Sequence, residues 1–124
     1  MDKQRVLIVD DEKDIVETIK FRLESEGFEC LVAYEGEEAL LKARRENPDL
    51  ILLDIMLPKI NGYKVCRLLK FDESYKHIPI IMLTAKTQET DKLTGKETGA
   101  DEYVCKPFVM DELVKMITKY LKNQ

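Results

Sequence analysis

Five short apolar runs constrain this chain more than any other feature of it. Arg5-Val-Leu-Ile-Val-Asp10, Phe28 to Ala33, Leu50-Ile-Leu-Leu-Asp54, Ile78-Pro-Ile-Ile-Met-Leu-Thr84 and Glu102 to Cys105 are too short for core helices. The fullest of them are β-branched or leucine-rich without polar alternation, which predicts strands buried on both faces. Between them the period changes. Val16, Ile19 and Leu23 form a helical stripe that stops at Gly27, a residue suited to a left-handed helix end. Acidic residues Asp11 to Asp14 open that helix, where they complement its dipole. Ala39, Leu40 and Ala43 mark a second helix over Gly36 to Arg45, closed by Pro48. Val65, Leu68 and Leu69 mark a third over Tyr63 to Phe71, after a turn at Pro58 to Gly62. A polar, threonine-rich stretch from Thr87 to Thr98 predicts a fourth, weak helix. Leu113, Ile117 and Leu121 carry the last, over Asp111 to Leu121. Pro79 has no N–H to give a ladder, so it belongs at the start of the fourth strand.

Strands alternating with helices specify an α/β fold, a doubly wound (βα)5 parallel sheet covered on both faces. The 124 residues fit one domain spanning positions 1–124. With 44% hydrophobic and 35% charged residues the chain is globular, and a net charge of −4 argues against direct nucleic-acid binding by this domain. No apolar run approaches the ~20 residues of a membrane span, and Met1 to Arg5 carries no signal-peptide pattern. Cys30, Cys66 and Cys105 are odd in number and lack metal-site spacing, which predicts reduced core thiols in a cytoplasmic protein.

In such sheets ligands bind beyond the carboxyl ends of the strands. The first strand ends in Asp10 and Asp11, the third in Asp54, the fourth in Thr84 and the fifth in Lys106 before Pro107. Any one of these alone is ordinarily a cap, a turn residue or a solvated side chain. Together they place five polar groups on one edge. Three close carboxylates repel one another unless a cation joins them, and hard oxygen donors without histidine or thiolate suit Mg²⁺. A carboxylate beside Mg²⁺ and a lysine can take up a phosphoryl group as an acyl phosphate. Asp54, alone at the end of a central strand, is the better nucleophile; the adjacent Asp10 and Asp11 suit the metal.

The set Val-Asp10-Asp11, Leu-Leu-Asp54-Ile-Met-Leu-Pro58-x-x-Asn61-Gly62, Leu-Thr84-Ala85 and Gly99-Ala-Asp-x-Tyr103-x-x-Lys106-Pro107-Phe108 resembles the response-regulator receiver domain of two-component signalling. The resemblance covers essentially the whole chain. It implies the flavodoxin-like strand order 2-1-3-4-5 and a phosphorylation-activated switch. Asp54 would accept phosphate from a sensor histidine kinase or a histidine phosphotransfer protein. Asp11, Asp54 and the Met56 carbonyl would bind Mg²⁺, with Asp10 helping through water, while Lys106 and Thr84 would contact the phosphoryl oxygens. Thr84 and Tyr103 would move as the switch, and the Lys106–Pro107 peptide would be cis. So described, the protein is a signalling switch rather than an enzyme, catalysing only its own phosphorylation and slow dephosphorylation.

Several expectations extend this reading. The stretch from Thr87 to Thr98, with Leu93 as its one large apolar side chain and Gly95 inside it, is expected to be the least stable helix and the one that responds. Met56 and Lys86 flank the path of an attacking water, and the apolar Met56 predicts slow loss of the phosphoryl group. In the resembled family the face of the first helix docks the kinase, which makes Ile15, Thr18, Phe21 and Arg22 candidate partner contacts. His77 is expected on the surface and Cys105 to be inert, while Tyr120 and Met116 fit either packing or a phosphorylation-dependent homodimer. A flavodoxin-like electron carrier is excluded by the acidic first loop, which would repel a phosphate. A phosphatase with an Asp nucleophile would need a carboxylate where Met56 stands. The end at Leu121-Lys-Asn-Gln124 carries neither linker nor basic domain, which favours a stand-alone regulator over the receiver half of a DNA-binding one, with an output protein that the sequence does not name.

Overall fold

A computed structural model describes residues 3–85 and 99–122. The elements run β1 (Arg5–Val9), α1 (Lys13–Ser25), β2 (Glu29–Ala33), α2 (Gly36–Glu46), β3 (Leu50–Asp54), α3 (Gly62–Lys70), β4 (Ile80–Ala85), β5 (Glu102–Lys106) and α4 (Met110–Lys122). The helix expected over Thr87 to Thr98, with Lys86, lies outside the described residues. All four strand pairings are parallel, in the order β2-β1-β3-β4-β5. The expected topology is the observed one.

Because the sheet is covered on both sides, each central strand feeds two cores. Leu7, Val9, Ile51, Leu53, Ile80 and Met82 pack under α2 and α3. Val6, Ile8, Leu50, Leu52 and Ile81 pack under α1 and α4. Alternate side chains of one strand therefore point into different layers, which requires an uninterrupted apolar run rather than an alternating one. The stripes Val16–Ile19–Leu23 and Leu113–Ile117–Leu121 are buried as their spacing requires.

The structure corrects the sequence reading at several places. Spacing puts Leu68 in the core of α3, but Cys66 is buried in its place and Leu68 is exposed, since Val65, Cys66 and Leu69 already fill the inward arc. The residues Asp11 and Glu12 precede α1, whose first turn contains Asp14 alone of the acidic group. At the end of α2, Asn47 adopts the left-handed conformation (φ 49°) and stops the helix before Pro48 does. β4 begins at Ile80, just after Pro79. Among the cysteines only Cys66 is buried; Cys30 and Cys105 are partly exposed. Burial and the nearby Glu24 push the Cys30 thiol up to about 11. His77 is exposed, and Tyr120 packs, donating from its hydroxyl to Glu102 at 2.8 Å.

At the edge of the sheet opposite the polar strand ends, one lysine ties three segments together. Lys70 Nζ donates to the carbonyls of Lys76 (3.0 Å) and Ile78 (3.0 Å) and to Asp101 Oδ2 (2.9 Å). The same Asp101 oxygen accepts from the Ile80 N–H at 2.8 Å, fixing the entry to β4. Removing the ammonium takes this donor from two carbonyls and leaves the Asp101 carboxylate with the Ile80 N–H. We expect Lys70→Met to lower the unfolding free energy by about 2 kcal/mol, measured by urea denaturation; a loss below about 0.5 kcal/mol would show these bonds to be ornamental.

Candidate functional site

The parallel register brings the polar strand ends to one edge. Asp54 pairs in register with Leu83, and Ala85 with Lys106, so Thr84 and Lys106 stand at the same end as Asp54. Asp10 follows β1 directly, its N–H held by the Ala33 carbonyl at 3.2 Å. Asp10, Asp54 and Thr84 are the buried polar residues among those described, at 0%, 4% and 2% exposure. Lys106 reaches across from β5. Its ammonium donates to Asp10 Oδ2 at 2.8 Å and lies 3.4 Å from Asp54 Oδ1 and 3.6 Å from Glu12 Oε1.

Two glycines let the surrounding loops close in. A Cβ on Gly62 would fall on the Asp54 carbonyl oxygen and 2.8 Å from Ile55 Cα, so α3 starts directly against the end of β3. The Gly62 N–H donates to the Ile55 carbonyl at 2.9 Å, and Asn61 caps α3 by accepting from the Lys64 N–H at 3.0 Å. A Cβ on Gly36 would likewise strike Ile60. The resulting cleft is lined by Asp11, Glu12, Ile15, Asp54, Met56, Lys106, Pro107 and Phe108. The Lys106–Pro107 peptide is cis, as the resemblance implies.

The electrostatics follow from burial. The Asp54 carboxyl is pushed up to about 6, first by its removal from water and then by the charge of Asp10; Lys106 and the Met56 N–H, 3.3 Å from Oδ1, oppose the rise. Burial acts to lower the Lys106 ammonium, but its bond to Asp10 and the charges of Asp54, Asp10 and Glu12 outweigh that and raise it. The site thus holds more negative charge than one lysine balances. One carboxylate oxygen from each of Asp10, Asp11 and Glu12 lies within 4.8 Å of the others, an all-oxygen donor set that fits a hard divalent cation. Sequence reasoning misses Glu12 as a member of this group, because a glutamate before a helix reads as a dipole partner. Its backbone N–H bonds Asp10 Oδ1 at 2.9 Å, an arrangement that sequence spacing does not reveal.

Five of the expected site residues come together at one cleft, and Thr84 and Tyr103 are not among the residues that line it. Asp10, Asp54 and Lys106 are in direct contact, and Asp11 and Met56 line the same opening. The Thr84 hydroxyl is buried with no hydrogen-bond partner among the described residues. Tyr103 is partly buried against the core beneath α2 and α3.

Known proteins resemble this chain in sequence and in fold. The sequence profile of the response regulator receiver domain matches residues 6–118. The chain belongs to the response regulator receiver family. It is 45% identical over 120 residues to the alkaline phosphatase synthesis transcriptional regulatory protein PhoP of Bacillus subtilis, covering 97% of this chain and 49% of that protein. It is 46% identical over 121 residues to the DNA-binding response regulator MtrA of Mycolicibacterium smegmatis, covering 98% and 52%. The receiver thus spans about half the length of these relatives. Among solved structures it resembles a putative response regulator from Chloroflexus aurantiacus (TM-score 0.92, 36% identity, 98% of this chain and 99% of that one). It also resembles the chemotaxis response regulator CheY4 of Vibrio cholerae (TM-score 0.89, 33% identity, 96% and 99%). No helix among the described residues is long and apolar enough to cross a membrane.

A carboxyl with its folded pKa raised from 3.8 to about 6 favours the folded state most below pH 4, and that contribution is lost as pH rises through 6. The substitution Asp54→Asn removes the titrating group and with it this loss. Between pH 4 and pH 7, in EDTA, the receiver is therefore expected to lose stability relative to the Asp54→Asn variant, by urea unfolding at each pH; a constant difference would remove the buried-charge account.

Proposed function

We propose that this receiver is a cytoplasmic phosphorylation-activated switch that accepts a phosphoryl group on Asp54 from a histidine kinase or phosphotransfer protein. The observation that carries the reading is the placement of the buried Asp54 in the wall of a cleft, 3.4 Å from the Lys106 ammonium and beside an acidic cluster. One Asp54 carboxylate oxygen forms the new O–P bond as the donor's P–N bond breaks, and the imidazole nitrogen leaves with the electron pair. Asp10 and Asp11, with Asp54 and the Met56 carbonyl, would hold Mg²⁺; when bound, it supplies positive charge to the phosphoryl oxygens. Lys106 gives a second positive charge and Thr84 a hydroxyl donor. That hydroxyl, buried without a partner among the described residues, gains a bond when a phosphoryl oxygen arrives. Thr84 and Tyr103 are the pair through which the change leaves the site, toward an output protein or a phosphorylation-dependent homodimer. The domain is a switch whose only catalysis is on itself.

Incubation with acetyl phosphate and Mg²⁺ should add ~80 Da to the intact mass, labile to hydroxylamine as an acyl phosphate is. The gain should vanish with EDTA and in Asp54→Ala, and slow in Thr84→Ala. No gain in the wild-type protein would leave a phosphorylation-independent binding module. Met56 is 65% exposed at the cleft, where a thioether cannot orient an attacking water. The double variant Met56→Asn, Lys86→Glu is therefore expected to lose the phosphoryl group several-fold faster in a mass-spectrometric time course; an unchanged decay rate would refute that role.

A further inference from the structure

The surface carries two complementary patches that the phosphorylation site does not use. On α1 the buried stripe Val16–Ile19–Leu23 turns Asp14, Glu17, Phe21 and Glu24 outward. Phe21 is 78% exposed, and none of these three carboxylates is ion-paired among the described residues. The result is a ridge of three unpaired carboxylates around an aromatic, with Lys13 and Lys20 along one flank.

The outer side of α2 and α3 has the opposite character. Lys42 reaches the Val32 carbonyl on β2, and Lys70 bonds Asp101 beside β5. These contacts fix which flank of each helix faces away from the other. Helical phase then turns Leu41 and Arg44 of α2 toward Lys64 and Leu68 of α3, leaving Arg45, Arg67 and Phe71 to point outward. Leu41 is 57% exposed and Phe71 69%, with the Arg67 guanidinium over the Phe71 ring. Arg44, Arg45, Lys64 and Arg67 are all exposed, and none is ion-paired among the described residues. In a chain with a net charge of −4, that is a local excess of free positive charge beside exposed apolar side chains.

We infer that the α2–α3 face binds the α1 ridge of a second copy of this chain. Phe21 would enter between Leu41 and Leu68, as a helix laid in an apolar groove does. Glu17, Glu24 and Asp14 would meet the four unpaired cations around it. The two patches lie on opposite faces of the sheet, since α1 packs over one core and α2 and α3 over the other. Such an interface is heterologous, leaving each end of a pair open to a further copy. The contact is held by rim charges, so it weakens as salt screens them. Association would cover α1, and a partner that needs that helix would compete with it.

Sedimentation equilibrium of the full chain tests this. At 50 mM salt the mean mass should rise with concentration from the 14.4 kDa monomer and pass the dimer value without a plateau, while 500 mM salt should abolish most of the rise. Two variants with matched far-UV spectra provide the decisive arm. Glu17→Arg with Glu24→Arg makes both patches basic, and Arg44→Glu with Arg67→Glu makes both acidic; each alone should remain monomeric. Mixed in equal amounts they should associate again, because each ridge then meets an opposite groove. A wild-type monomer throughout, a plateau at the dimer, or a mixture that stays monomeric would each overturn the assignment.

Discussion

The bond between Lys106 and Asp10 is the contact on which the site depends. Asp10 is wholly buried, and a buried carboxylate without a partner costs several kcal/mol. Its partner comes from a strand it never pairs with: β3 and β4 lie between β1 and β5, and the Lys106 ammonium meets Asp10 Oδ2 at 2.8 Å at the strand ends. One cation thereby holds together strand ends that never pair. It also leaves Asp54 short of compensation, 3.4 Å away and second in claim on the same charge. Burial, and then the charge of Asp10, raise the Asp54 carboxyl, while Asp10, Asp11 and Glu12 crowd together beside it. A divalent cation would relieve both, which is a thermodynamic reason for such a site to take one up.

Much of this can be read from the chain because the features involved are local. An apolar run that ends in an aspartate announces both a buried strand and the polar residue at its carboxyl end, and parallel topology sends all such ends to one edge. Asp10, Asp54, Thr84 and Lys106 are legible for that reason. Leu68 is misplaced by spacing because Val65, Cys66, Leu68 and Leu69 offer two overlapping inward arcs, and only packing decides between them. The reach of Lys70 to Asp101 is invisible for a different reason. It joins positions 31 apart through a lysine at a helix end, where composition predicts a solvated side chain. Glu12 sits between these cases. Its position is plain, but its membership in the cluster comes from a backbone bond to Asp10 that bends the chain before α1.

The same bends set the limits on what the cleft can accommodate. Gly62 permits α3 to begin against Asp54, and Gly36 permits the start of α2 to touch Ile60, so the loop from Ile55 to Asn61 is pressed between the two helix starts. Met56 projects from this loop to the cleft and is largely exposed, so its side chain contributes little to the core. A loop held at both ends thus presents a weakly packed side chain beside Asp54. Glycines and the Asn61 cap hold the backbone, while the side chain at position 56 stands clear of both cores.

Winding the sheet doubly also brings the helix starts to the edge where the strands end. Asp11 and Glu12 lead into α1, the Met56 loop into α3, and Phe108 into α4, and all of these line the cleft or its rim. Helix N-termini favour negative charge through their free N–H groups, whereas the clustered carboxylates disfavour more of it. The balance between the two is set by whatever cations are present, and here Lys106 alone tips it only partly. Strand interiors cannot absorb a change at this edge, because both cores are close-packed around side chains of no exposure. An added dianion at Asp54 would therefore act on the loops and helix starts that border it. Those elements lead directly to the outward faces of α1, α3 and α4, and so a local change of charge has a short mechanical route to the surface.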